Sequence, residues 1–234
     1  MPAGLLPAAI LAAGPAGYWR LDEGAGSVAR DSSGNGRDGT YDGGVVLGDV
    51  AGPYGAYPDF AQSGDGVVIP DDFDWTPSGP SPVTVVGLLS STHPIGSVTS
   101  LAIARKVDEW QAARSSVDSA IAVTSRTTPV LSYWLTEASG SVLATVDGVW
   151  YLVIMELPFG AAPVVYVDGT GPLGSSFGPS GTQNGNQTTS LVLGQTSTTT
   201  GTGRHLAHVA VFKKALSSGE RADIVAAAIA DGWI

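Results

Sequence analysis

Near its start the chain reads Tyr18-Trp19-Arg20-Leu21-Asp22-Glu23 and then Asp31-Ser32-Ser33-Gly34-Asn35-Gly36-Arg37-Asp38-Gly39-Thr40-Tyr41. An alternating strand that runs into a glycine-rich turn leaves few folds open. Side chains alternate across a strand, so Trp19 and Leu21 share one face and Tyr18, Arg20 and Asp22 the other, which predicts one apolar and one largely polar sheet face. In the turn, Asp31 and Asn35 can bond neighbouring amides, while Gly34, Gly36 and Gly39 accept positive φ.

Downstream, Val67-Val68-Ile69, Val83-Thr84-Val85-Val86, Ser97 to Ala104, Ala120 to Thr124, Ser132 to Leu135 and Ser141 to Val146 read as strands rich in β-branched residues. Asp147-Gly148 and Asp168-Gly169 are hairpin turns by composition. A helix is predicted after Ser217, which with Glu220 forms an S-x-x-E capping box, and Gly232 can end it. Ile224, Val225 and Ile229 give that helix one apolar stripe for packing on a sheet. The segment from Gly4 to Ala13 is apolar, yet no Lys or Arg precedes it and Pro7 interrupts it, so it reads as a short helix through Ala8 to Ala13 rather than a signal peptide.

The first two segments resemble the start of laminin-G-like, concanavalin-A-like jelly-roll domains, and three later landmarks fall in the order of that family. Val149-Trp150-Tyr151-Leu152-Val153 with Val164-Val165-Tyr166-Val167-Asp168-Gly169 looks like its central strand pair. Leu191-Val192-Leu193-Gly194 resembles the next short strand. Leu206 to Phe212, followed by Lys213-Lys214-Ala215-Leu216-Ser217, looks like its last strand and the exit into a C-terminal helix. The resemblance implies an all-β, antiparallel jelly-roll sandwich with a C-terminal helix and a short N-terminal one. Residues 1–17 are the arm and residues 18–234 the sandwich.

With 234 residues and 43% hydrophobic content the chain can bury one sizeable core. Its net charge of −10, with only three lysines and basic residues scattered along the chain, argues against nucleic acid, since phosphate binding needs a basic stripe. The absence of cysteine excludes disulfides, thiolate nucleophiles and zinc-thiolate sites. No apolar run is long enough to span a bilayer as a helix, so membrane insertion is not expected.

Catalysis finds little footing. Glycosidases of this fold class use two nearby carboxylates, but Glu23, Glu109, Glu137, Glu156 and Glu220 form no strand-borne E-x-D-x-E array. His93, His205 and His208 make no H-x-x-x-H or H-E-x-x-H pattern. His205 and His208 are oddly spaced on a strand, which predicts opposite faces. No enzyme is expected. Many laminin-G-like domains hold calcium near one rim, and the resemblance makes Asp31, Asn35 and Asp38 of the turn and Asp71, Asp72 and Asp74 of the acidic loop the candidate ligands. Against this, the acidic pair that relatives carry before the last strand is replaced by Leu206-Ala207-His208-Val209, and Asx-turn bonding explains the same residues. The cofactor expectation is therefore none, or a structural Ca2+.

Sugars stack on exposed aromatic rings. Trp19, Trp134 and Trp150 sit in strand patterns and read as core, leaving Trp75 and Trp110 as carbohydrate-binding candidates. The run from Ala9 to Leu21 resembles stand-alone laminin-G-like proteins encoded among phage structural genes. That implies a virion surface component, a capsid decoration or tail accessory in an oligomeric assembly with other virion proteins, possible partners including host-surface glycans. The alternatives are a secreted bacterial carbohydrate-binding or adhesion domain and, more remotely, a glycoside hydrolase.

Overall fold

In chain order, helix α1 (Leu5–Ala12) precedes β1 (Gly17–Trp19), β2 (Val28–Ala29), β3 (Gly39–Asp42), β4 (Val46–Gly52), β5 (Gly55–Asp59), β6 (Gly66–Ile69), β7 (Val83–Ser91), β8 (Leu101–Lys106) and β9 (Trp110–Arg114). Then come β10 (Ile121–Thr128), β11 (Leu131–Leu135), β12 (Tyr151–Leu157), β13 (Val164–Val167), β14 (Thr170–Leu173), β15 (Thr182–Gln183), β16 (Leu191–Leu193), β17 (Arg204–Phe212) and helix α2 (Ser218–Ala230). The computed structural model describes residues 4–62, 64–70, 75, 81–91, 101–106, 110–114, 121–128, 131–135, 148–158, 164–173, 182–183, 190–194 and 203–234, with the backbone alone for 91, 101–102, 110–114, 121–128, 131–135, 173 and 182–183.

The strands pair antiparallel into two sheets. One runs β14-β13-β12-β7-β17-β5-β4, with β1 also on β17; the other runs β11-β10-β9-β8-β16-β6-β3-β2, with β15 on β10. Between them lies a core of Trp19, Leu21, Phe60, Val67, Ile69, Val85, Leu89, Ile103, Val153, Met155, Leu193 and Val209, among others. The sandwich fold read from the sequence is the fold observed.

A second apolar layer forms on the outer face of the first sheet. Val86, Leu88, Leu152, Ile154, Ala210 and Phe212 point away from the sandwich and are covered by Leu6 and Ile10 of α1 and by Ile224 and Ala228 of α2. Central strands of that sheet are thus buried on both faces, which is why Tyr151–Leu157 reads as a nearly unbroken apolar run. Each such Val, Leu, Ile or Phe contributes about 1.5–3 kcal/mol when fully buried. The same layer corrects the expectation of a polar second face for the first strand, because Tyr18 is as buried as Trp19. That strand also ends at Trp19, and Leu21 turns into the left-handed region at φ 59°.

Local signals explain the helices and the turn between β13 and β14. Ser217 and Glu220 form the reciprocal capping box at the start of α2. The face α2 buries is Ile224, Ala227 and Ala228, whereas Ile229, expected on the packing stripe, is 57% exposed. Helix α1 runs from Leu5 rather than Ala8 and is stopped by Gly14 at φ 70°. The Asp231 carboxylate accepts from the Leu5 and Leu6 N–H groups at 3.1 and 2.7 Å, tying α1 to the end of α2. The Asp168-Gly169 turn has positive φ at both residues, 48° and 79°, as a two-residue hairpin requires.

Seven strands were not read from the sequence: β2, β3, β4, β5, β9, β14 and β15. Segments β3, β4 and β5 carry glycine, aspartate and proline, and are strands because their partners β6 and β17 impose pairing. The expected strand at Ser141 to Val146 lies outside the described residues.

Candidate functional site

The last strand, β17, carries an irregularity that sets the site. Against β7, Ala207 pairs with Leu88 and Ala210 with Val86, so His208 and Val209 together oppose Gly87. His208 occupies the left-handed region at φ 52°. The extra residue shifts the alternation by one, so Leu206 and Val209 both face the inter-sheet core while Ala207 and Ala210 both face the helices. Odd spacing therefore does not separate His205 from His208. His205 neighbours Trp150 and His208 neighbours Trp233, both of them in the helix-covered layer.

His208 is fully enclosed. Its Nδ1 lies 2.6 Å from the Tyr18 hydroxyl and its Nε2 3.4 Å from that of Tyr57, an arrangement met by a neutral ring protonated on Nε2. Burial, reinforced by the Arg20 charge, lowers its pKa to about 3.

At the other end of β17 the chain gathers charge. Residue 59, ending β5, pairs in register with His205 on one side and with Val46 of β4 on the other. The Asp59 carboxylate accepts from the backbone N–H of Gly203 at 2.9 Å and of Arg204 at 2.7 Å. The β4 to β5 register is interrupted between Val46 and Val50, and Asp49 in that stretch brings Oδ2 to 3.3 Å from His205 Nε2. Asp49 is exposed, whereas Asp59 and His205 are buried at 4% and 2% exposure. Asp65, also buried, accepts from the N–H of Gly44 at 2.6 Å and of Gln62 at 2.8 Å.

Polar atoms at this rim are left over. Both terminal guanidinium nitrogens of Arg204 and Nδ1 of His205 are buried with no hydrogen-bond partner among the described residues. Burial lowers the Arg204 pKa, opposed by the charges of Asp59 and Asp65.

The residues singled out from the sequence fall elsewhere. Trp75 is fully buried in the inter-sheet core, 5.9 Å from Trp19 and with the Arg37 guanidinium 5.7 Å from its ring, so it packs rather than offering a face to a sugar. Trp110 opens β9, paired with Lys106 and Ser125, where a loop was expected. In the glycine-rich turn, burial pushes the Asp31 carboxyl up, but hydrogen bonds from Ser33, Arg37 and Tyr18 outweigh it and hold the pKa below the usual range. Asp38 Oδ1 accepts from the Asp31 N–H at 2.8 Å, and Asn35 Nδ2 donates to the Ala16 carbonyl at 3.0 Å. These are bonds that close a turn. The other candidate ligands, Asp71, Asp72 and Asp74, lie outside the described residues.

No family model matches the chain, and no curated protein matches it. Solved structures do. The binding domain of botulinum neurotoxin serotype D is 14% identical with a TM-score of 0.62, over 94% of this chain and 51% of that one. The binding domain of botulinum neurotoxin DC, in complex with SialylT, is 12% identical with a TM-score of 0.66, over 95% and 53%. A structure of botulinum neurotoxin type C, whose cell entry is described as dependent on two ganglioside molecules, is 12% identical with a TM-score of 0.67, over 97% and 53%. At that identity the likeness is one of fold alone, a β-sandwich. The chain spans about half the length of these structures.

Proposed function

We propose that the chain is a non-enzymatic adhesion module of a bacteriophage virion surface, a capsid decoration or tail accessory protein that attaches through its helical layer and holds glycans. The observation that carries this reading is the outward face of that layer. Leu5, Ala8, Leu11 and Ala12 of α1 and Ala222, Ala226, Ile229 and Ala230 of α2 are exposed, and Asp223 is the single charged residue among the exposed positions of the two helices. Leu5 and Ile229 are each 57% exposed. On a chain of net charge −10, a face this free of charge suits contact with another protein.

The non-enzymatic part is supported by what the described glutamates do. Glu23 accepts from the Arg30 N–H and the Tyr41 hydroxyl, each at 2.8 Å. Glu156 is paired with Arg221 at 2.8 Å, and Glu220 serves the capping box and Lys214. None of these three stands free beside a second carboxylate as glycoside hydrolysis requires. Glycan adhesion is supported by analogy with the receptor-binding domains of the same fold, one bound to SialylT and another described with gangliosides. The virion setting is supported by the resemblance of the segment from Ala9 to Leu21 to phage structural proteins.

The test is peptide mass spectrometry of purified virions together with a glycan array on the isolated chain. The expected result is co-purification with capsid and tail proteins, lost in a Leu5→Lys/Ile229→Lys variant, and retention of cell-surface glycans on the array. Recovery from culture medium, bound to no particle, would replace this reading with a secreted carbohydrate-binding or adhesion domain.

A further inference from the structure

We propose that Asp49, Asp59 and His205 form a site for one divalent transition-metal ion, zinc fitting best, at the rim where β4, β5 and β17 meet. One ligand atom from each residue lies within 4.8 Å of the other two. The contact of His205 Nε2 with Asp49 Oδ2, at 3.3 Å, is long for a hydrogen bond to a carboxylate, which draws in to about 2.7–2.9 Å. It matches the edge of a tetrahedron around a metal whose bonds are about 2.0–2.1 Å, since that edge is about 3.4 Å. Strand pairing rather than a loop fixes two of the three positions, because residues 59 and 205 are register partners. The third, Asp49, sits exposed on the edge strand with room to turn toward the ion.

The buried ring points to a ligand independently of the carboxylates. His205 is 2% exposed; among the described residues its one side-chain hydrogen-bonded contact is that long one and its Nδ1 has no partner. Buried imidazoles are ordinarily served at their nitrogens, so a ring whose Nε2 meets a carboxylate only at 3.3 Å is weakly held at the atom that would take the ion. Charge agrees. Asp59 and Asp65 both act on Arg204, and Asp49 adds a further carboxylate beside Asp59 and His205, so a divalent ion would be drawn to an acidic rim. Asp59 retains capacity, since each oxygen accepts only one of the two backbone N–H bonds and a carboxylate has about four acceptor positions. Those two bonds orient it as outer contacts orient metal ligands.

An imidazole with two carboxylates selects a zinc-like ion, because calcium takes six to eight oxygens and magnesium keeps its own waters. Three protein ligands leave a fourth position for water or a ligand oxygen. The site does not depend on the adhesion reading.

The experiment uses the untagged full chain, stripped with EDTA and dialysed, then titrated with zinc alone by calorimetry and with cobalt(II) by visible absorption. Expected are one zinc per chain, a tetrahedral cobalt spectrum, and a melting temperature that rises with zinc but not with calcium. Asp49→Ala, at an exposed edge position, is expected to keep the fold and weaken zinc about a hundredfold. His205→Gln is expected to abolish the cobalt spectrum. Absence of a zinc-dependent shift, or a shift of equal size in Asp49→Ala, overturns the site; should His205→Gln fail to fold, the Asp49→Ala comparison decides alone.

Discussion

Two histidines three residues apart on β17 share a face of one sheet and meet opposite circumstances. His208 is enclosed by Tyr18, Tyr57 and Trp233, with a hydroxyl at each ring nitrogen. His205 is nearly as buried, but it has one long contact to an exposed aspartate and a second nitrogen with no partner among the described residues. Burial costs a polar group its water in both places; each ring has one long contact at Nε2, 3.4 Å in His208 and 3.3 Å in His205, but only His208 has a partner at Nδ1 among the described residues. Served polar groups complete a fold. Unserved ones, gathered with charges at a rim, mark where something from outside completes it.

The largest expected effect falls on the served side. His208→Ala removes a ring from between two helices and a sheet and strips the Tyr18 hydroxyl of its 2.6 Å partner, so it is expected to cost about 3–5 kcal/mol in denaturant unfolding. His205→Gln in metal-free buffer is expected to cost about 1 kcal/mol, because one long bond is lost. Equal costs would erase the distinction.

Acid should expose the same contrast. The unfolded His208 ring takes a proton below its ordinary 6.5, whereas the folded one does so only near about 3. Between those values the unfolded state binds more protons, so this contribution to stability is full above 6.5 and is lost as pH falls through the window, at up to about 1.4 kcal/mol per pH unit. Carboxylates titrating nearby act on both proteins of a matched pair. The stability of His208→Gln relative to the parent chain, followed by urea unfolding from pH 7 to 4, should therefore show a deficit that narrows on acidification; a constant deficit would mean that His208 is charged in the fold.

Why the sandwich was legible and the rim was not follows from where each is written. Alternating Trp19 and Leu21, the Trp150 strand, the Asp168-Gly169 turn and the Ser217/Glu220 box are local patterns, each readable over a few residues. The rim needs β4 and β5, whose Gly-Asp-Val-Ala-Gly and Gly-Ala-Tyr-Pro-Asp stretches contradict strand propensity and become strands only by pairing. The shared face of the two histidines needs the bulge at His208, without which odd spacing sends them to opposite faces. Trp75 misled for a related reason, since its acidic and proline-rich neighbours read as surface while the ring fills the core against Trp19. One signal was present: a strand with two histidines and an arginine in an otherwise apolar run, Arg204 to Phe212, demands polar partners somewhere.

At the rim itself, Asp59→Asn tests whether the carboxylate organises the cluster. An amide offers one oxygen to two backbone donors and turns its own N–H groups toward the other, and Arg204 loses a countercharge. A loss of about 2–3 kcal/mol is expected by thermal and urea unfolding, together with loss of zinc binding. Retained zinc affinity at parental strength would separate Asp59 from the site and leave it a purely structural acceptor.

The smallest effect is expected at the glycine-rich turn, and it sharpens the comparison because acidic residues there look like a metal site by composition. Asp31 is already engaged by the N–H groups of Tyr18, Ser33 and Arg37 at 3.1, 2.9 and 2.9 Å, and Asp38 by that of Asp31. A carboxylate supplied with three backbone donors has its charge compensated without an ion. Adding millimolar calcium to the EDTA-stripped chain is accordingly expected to move the melting temperature by less than about 1 °C, and Asp38→Asn to leave that response unchanged. Were calcium to raise it by several degrees and Asp38→Asn to cancel the rise, the turn would belong with His205 among groups awaiting a ligand, and internal hydrogen bonding would no longer distinguish the two.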